Sequence, residues 1–191
     1  MSEAAKIIET ENIRYTYADS SQWEVYPRYE LFAGRAVMMA APSIEHQRLS
    51  FELSRQFGNF LLGKPCRAYA SPIDVRLFPK LDKSDDTVMQ PDLLVVCDKG
   101  KIAKNSIDGA PDLAIEILSP SNLSSRLLQK FNHYLKAGVR EFWTIEPEEK
   151  LVQVNLFGDD KSVSVIYKKE DASIPVSVLP GLAIDLKLLW P

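Results

Sequence analysis

Two short apolar runs constrain this chain more than any other feature. Residues 91–97 read PDLLVVC and residues 112–118 read DLAIEIL. Uninterrupted hydrocarbon of that length belongs to strands covered on both faces, at the centre of a sheet. Each run also carries acid: Asp92 opens the first, and Glu116 interrupts the second. An ionised carboxylate in a dry core costs on the order of several kcal/mol unless it is paired or bound to a cation. Glu116 therefore requires a partner, and the identity of that partner decides what the chain can do.

Strand geometry narrows the choice. Residues two apart share a face, so Glu116 points the same way as Asp112, Ala114 and Leu118. Asp112 lies four residues away, roughly 13 Å at about 3.3 Å per residue, too far to share one cation with Glu116. Asp92 is better placed, because opposite residues on neighbouring strands have Cα atoms about 4.5 to 5.5 Å apart. Two carboxylates at that spacing repel unless something positive lies between them, and Mg²⁺ is the hard, oxygen-seeking ion that suits such a pair. Asp92 with Glu116 reads as half of a metal site. The alternative is structural: Asp92 caps a turn after Pro91, and Glu116 meets a lysine or arginine.

Around this centre the pattern alternates strands and helices. RYELFAGRAVMMAA reads as two strands joined at Ala33–Gly34, with Glu30 in the first arm. After Pro42, Ser43 can cap a helix with Leu49, Leu53, Phe57 and Phe60 on its buried face, and His46 falls on the same line. SPIDVRLF (71–78) is a further strand, and the polar stretch KLDKSDD (80–86) is a hairpin tip or loop. A helix from about Leu123 to Ala137 should turn Leu127, Leu128, Phe131, Tyr134 and Leu135 inward and end at Gly138. VREFWTI and LVQVNLF then form two strands around the turn EPEEK. Strand, helix and strand across residues 112–145 imply a parallel crossover, and the later short strands an antiparallel addition. The expected class is α/β, or mixed α+β, with residues 1–191 as one domain.

Composition excludes some functions. A net charge of −3 and a pI near 5.5 argue against a protein that coats nucleic acid indiscriminately, since that affinity comes from cations laid along phosphates. The charge is uneven, however. From Lys99 to Arg140 there are seven basic residues (Lys99, Lys101, Lys104, Arg126, Lys130, Lys136, Arg140) against Asp108, Asp112 and Glu116, and after Arg140 nine acids face five lysines. The central excess is either a basic face or ordinary solvated surface. The opening MSEAAKIIETENIRYTY has no signal-peptide core, and no segment reaches the ~20 apolar residues that span a bilayer. Cys66 and Cys97 lack metal-ligand or framework spacing, so they are expected to be reduced packing residues in a soluble cytoplasmic protein.

The succession QPDLLVVCD, GAPDLAIEILSPS and KFNHYLKAGVREFWTIEP resembles the Uma-type family of restriction-endonuclease-like proteins. The resemblance extends through RYTYAD, YELFAG, APSIEHQ, SPIDVRL and LPGLAIDL, nearly the whole chain. The family resembles a branch of the PD-(D/E)XK nucleases, which implies a mixed central sheet flanked by helices, extra antiparallel strands at both ends, and Mg²⁺ or Mn²⁺ held by an aspartate and a glutamate. Those positions correspond to Asp92 and Glu116, with Glu30 as a further carboxylate and Asp74 as a weaker one. The lysine that normally follows the glutamate by two residues is Leu118 here, and Lys130 on the next helix matches the family's alternative position, with Tyr134 one turn on. A lysine stem of about 6 Å could reach the strand end from there; otherwise Lys130 is a solvated member of the stripe Arg126, Lys130, His133. His46 would contact substrate phosphate or a metal-bound water, or else be a hydrogen-bonded core histidine. Glu30 could instead pair with Arg28 or Arg35. Arg126 stands where family members commonly carry aspartate.

The function so implied is Mg²⁺-dependent hydrolysis of DNA phosphodiesters, catalysed by Asp92, Glu116, Lys130 and His46. The rival is a weakened or inactive nuclease fold that binds DNA or assembles with it, consistent with Leu118 and Arg126. A homodimer would suit cleavage of two strands, although no interface is legible in the sequence.

Overall fold

The computed structural model describes residues 13–24, 26–119, 124–158 and 161–191. A single helical turn, α1 (Tyr17–Ser20), precedes the hairpin of β1 (Tyr29–Phe32) and β2 (Arg35–Met38). Ala33 and Gly34 join its arms with φ of 47° and 81°, the paired positive values that a tight two-residue hairpin turn demands. Helix α2 (Ile44–Leu61) begins where Ser43 accepts the His46 N–H at 3.1 Å. It buries Leu49, Leu53, Phe57 and Leu61 along one stripe, with Phe60 partly covered beside them.

The chain then forms β3 (Arg67–Ala70), β4 (Asp74–Arg76), β5 (Val88–Met89), β6 (Leu93–Val96), β7 (Ser106–Asp108) and β8 (Leu113–Ile117). Helix α3 (Ser124–Ala137) leads to β9 (Glu141–Glu146), β10 (Leu151–Phe157), β11 (Ser162–Lys168), β12 (Ser173–Pro175), β13 (Ala183–Asp185) and a final turn, α4 (Leu186–Leu189). The main sheet runs β11-β10-β9-β8-β6-β3. Strands β8 and β9 are parallel, bridged by α3, and the other neighbours in this sheet are antiparallel. A second sheet, β2-β1-β5-β4-β7, contains the N-terminal hairpin, and β12 pairs with β13. This is the mixed sheet with helices and antiparallel additions that the sequence implied. The polar stretch at 80–86 connects β4 to its antiparallel neighbour β5, as a hairpin loop should.

The apolar runs are covered on both faces because each face meets a different layer. Leu93, Val95, Leu113, Ile115 and Ile117 pack with Leu49, Leu53 and Phe57 of α2 and with the C-terminal Ile184, Leu186 and Trp190. Leu94, Val96 and Ala114 pack with Tyr134 of α3 and with Val75, Met89 and Ile107 of the second sheet. Each large side chain so buried contributes about 1.5 to 3 kcal/mol. Glu116 lies two residues beyond Ala114 on β8, on the same face, and so faces the layer between the sheets.

Three expectations are corrected. On α3, Leu128 and Leu135 are 61% and 39% exposed rather than inward. The inward line instead runs through Lys130 and Tyr134, one helical repeat apart, with Leu127 and Phe131 partly covered; the expected start at Leu123 lies outside the described residues. The SPIDVRLF strand is shorter than expected, only Asp74–Arg76. Cys66 and Cys97 are joined in a disulfide. The β3–β6 register sets Arg67 opposite Val96, so the preceding Cys66 faces the following Cys97 across two strands, a juxtaposition that spacing along the chain does not reveal. The cysteine argument for a reducing compartment thereby falls. Among the described residues no helix is long and apolar enough to cross a membrane.

Candidate active site

The antiparallel register of β6 and β8 pairs Leu93 with Ile115, which sets Asp92 opposite Glu116. The Asp92 N–H donates to the Ile115 carbonyl at 3.0 Å. One residue further the ladder ends, and the Asp92 Oδ2 itself accepts the Ile117 N–H at 2.7 Å. The carboxylate thus replaces a missing strand partner and satisfies a buried donor that would otherwise be orphaned. His46, at the start of α2, brings Nε2 to 3.2 Å from the same Oδ2. Among the described residues its buried Nδ1 has no hydrogen-bond partner. The contact sets the imidazole beside the Asp92 oxygen that the Ile117 N–H also reaches.

Glu116 finds its partners on α3. Lys130 Nζ lies 2.8 Å from Glu116 Oε2 and 2.9 Å from Oε1 of Glu30 on β1. The Tyr134 hydroxyl donates to Glu116 Oε1 at 2.9 Å. Lys130 and Tyr134, four residues apart, hold the two oxygens of one carboxylate from successive turns of the helix. Glu30 is fixed in turn by the Gln90 N–H, 2.9 Å from its Oε1. Glu30, Lys130 and Glu116 are 2%, 8% and 6% exposed, which excludes the reading of Lys130 as a solvated helix lysine. Burial pushes the Glu116 carboxyl up to about 8, with Lys130 pulling it down and Glu30 and Asp92 pushing it up. Burial disfavours the Lys130 ammonium, but Glu116 and Glu30 outweigh it and hold its pKa above the ordinary lysine value. The Tyr134 hydroxyl is raised by burial and by the same carboxylates.

Glu30, His46, Asp92, Glu116 and Lys130 line a small cavity of about 80 Å³ that also touches Arg28, Ile117, Leu118 and Arg126. Lys130 is ion-paired to Glu30 and Glu116, while Asp92 shares the lining of the cavity with Arg28 and Arg126. Among the described residues no group of three or more His, Cys, Asp or Glu side chains is arranged to hold a metal ion. Mg²⁺ is commonly held by one or two carboxylates, with water and substrate phosphate completing its shell. Asp92 and Glu116, directly opposed and hard in donor type, meet that lesser requirement.

All five residues singled out for catalysis or metal binding (Glu30, His46, Asp92, Glu116 and Lys130) meet here. Asp74 does not: it accepts the Gln90 Nε2–H at 2.8 Å and lies in a neighbouring cavity. Asp112 is engaged at the far end of β8, where it takes the Cys97 N–H and pairs with Arg140. Glu30 pairs with Lys130 rather than with Arg28 or Arg35. Sequence reasoning missed Gln90, which links Glu30 to Asp74; its position immediately before Pro91 and Asp92 was the only signal. Of the two alternatives for Glu116, the ion pair with a lysine is present, and the lysine is Lys130.

Residues 18–187 match the Uma2 family, described as "Putative restriction endonuclease". No curated protein matches the chain. The fold is similar to the crystal structure of a "putative nuclease belonging to DUF820" from Anabaena variabilis, with a TM-score of 0.73 and 23% sequence identity over 92% of this chain and 97% of that one.

Proposed function

The chain belongs to the Uma2 family, and from that premise we propose that it is a divalent-metal-dependent nuclease hydrolysing phosphodiester bonds of DNA. The observation that carries the reading is the meeting of Lys130 with Glu116 beside Asp92. A lysine is restored to the glutamate from α3, although Leu118 occupies the usual place on the strand.

Asp92 and Glu116 would hold Mg²⁺ or Mn²⁺. When bound, such an ion polarises a phosphoryl oxygen and acidifies water. The protein's own groups do the rest. Lys130, buried and pinned between Glu30 and Glu116, sets a positive charge where negative charge grows on the phosphoryl group, without reorganising in the reaction. Glu30 and Tyr134 are positioning residues that aim the ammonium and Glu116. His46 acts through Asp92, keeping one oxygen engaged so that the other is free to turn toward the cavity.

Asp92→Asn and Glu116→Gln keep the volume and much of the hydrogen bonding. Each should remain folded by circular dichroism yet cleave labelled DNA in Mg²⁺ or Mn²⁺ at least about 100-fold more slowly, the scale of losing one preorganised electrostatic group. Cleavage at the parental rate by both variants rejects the assignment. A second reading, a nuclease fold that binds DNA without cutting it, is favoured by Glu116 already having both oxygens engaged. Calorimetric titration separates the two, because only the enzyme should take up the divalent ion in a manner abolished by Asp92→Asn.

A further inference from the structure

Arg28 connects the carboxylate cavity to a second space that the proposed chemistry leaves unused. It lines the small cavity and also a groove of about 920 Å³ that opens beside it, with His46 and Asp92 common to both. Its guanidinium donates to Ser71 Oγ at 2.8 Å, and among the described residues no carboxylate is paired with it. An arginine retains further N–H donors in that state, in a fork suited to a phosphate. The groove carries Tyr26 and Phe51, which are 71% and 72% exposed. Gln47, Ser50 and Ser54 of α2 lie along the same wall.

Charge decides what such a groove can take. Arg28 is the only lysine or arginine among its lining residues. Arg48 and Arg55 on α2 are each paired with an acid of the same helix, Glu45 and Glu52. Duplex DNA presents one charge per about 1.7 Å and is held chiefly by cations laid along it. One guanidinium without a carboxylate partner among the described residues, in a groove also lined by two exposed rings, matches a different ligand, because unstacked bases bind aromatic faces whatever their sequence. The volume also lies within the roughly 300 to 1,000 Å³ of a small-ligand site.

Resting on the nuclease reading for what happens at the carboxylates, we propose that this groove binds an unpaired DNA strand. Arg28 holds a phosphate next to the one that enters the cavity, and Tyr26 and Phe51 stack bases. The substrate is then single-stranded DNA or a locally opened duplex, and Arg28, Tyr26 and Phe51 determine that preference.

The test is fluorescence anisotropy with the full chain in EDTA, where metal-dependent cleavage is silent, using labelled oligothymidine and a blunt duplex of equal length. Single-strand binding at least about tenfold tighter than duplex is expected, with a log–log salt slope of about −0.7, the contribution of one phosphate neutralised on a single strand. Phe51→Ala and Tyr26→Ala, both at exposed positions, should each weaken it about fivefold or more. Arg28→Ala should weaken it about tenfold, with Arg28→Lys intermediate. Duplex bound as tightly as single strand, or Arg28→Ala and Phe51→Ala both binding like the parent, overturns the proposal. Binding as expected with no cleavage after adding Mg²⁺ or Mn²⁺ supports the groove and removes the nuclease reading. Duplex cleavage without single-strand binding does the reverse.

Discussion

Replacing Lys130 with methionine tests the centre of the structure, because it keeps most of the side-chain volume and deletes only the charge. In the parent the ammonium lies 2.8 and 2.9 Å from carboxylates that are almost wholly buried. Removing one member of a buried ion-pair network typically costs about 3 to 5 kcal/mol, because the remaining charges are left uncompensated. Here two carboxylates lose their shared cation at once, with Asp92 close by, so the cost belongs at the upper end of that range. For a domain of this size each kcal/mol shifts Tm by about 2 to 4 °C, so a fall of roughly 10 to 20 °C in thermal unfolding is expected. Mg²⁺ should raise the Tm of the variant more than that of the parent, since a bound ion would stand in for the missing charge. A Tm within about 2 °C of the parent in the absence of divalent ions would refute the account of Lys130 as the cation on which Glu30 and Glu116 depend.

Tyr134→Phe removes one donor from Glu116 while leaving Lys130 in place, so a loss of about 1 to 3 kcal/mol by chemical denaturation is expected, together with slower DNA cleavage if Glu116 is thereby misaimed. Reduction of Cys66–Cys97 releases a loop with sequence separation 31 and should lower stability by about 3 kcal/mol, read as a drop in Tm on adding a phosphine reductant; an unchanged Tm would contradict the cross-link. Acid should act through Asp85. Burial works to raise its pKa, but the hydrogen-bonded Arg76 outweighs burial and leaves it below the ordinary 3.8. A folded pKa below the unfolded one gives stability that is present above pH ~3.8 and lost as pH falls through the folded value. Asp85→Asn should therefore flatten the acid limb of a plot of stability against pH below about 4.

Much of the fold was legible because local chemistry dictates it. Ser43 caps α2 with its own hydroxyl, Ala33–Gly34 turns the hairpin, and uninterrupted apolar runs require cover on both faces. The candidate site was legible for a similar reason: a buried Glu116 must have a partner, and strand geometry directed it away from Asp112 toward Asp92. The misreadings lie where partners come from elsewhere in the chain. Leu128 and Leu135 scan as core, yet the adjacent inward positions are taken by Lys130 and Tyr134, because the carboxylate opposite them needs donors more than the core needs two more leucines.

The sequence by itself determined the two central strands, the long helices and the first hairpin, and that a carboxylate pair would need compensation, because these follow from side-chain periodicity and from the energy of burying charge. Only the tertiary structure decided which cation answers that need, that Arg28 has no carboxylate partner among the described residues, and that Cys66 meets Cys97. These outcomes depend on inter-strand register and on the angle at which α3 crosses the sheet. Contacts between distant segments set both, so a reading along the chain does not contain them.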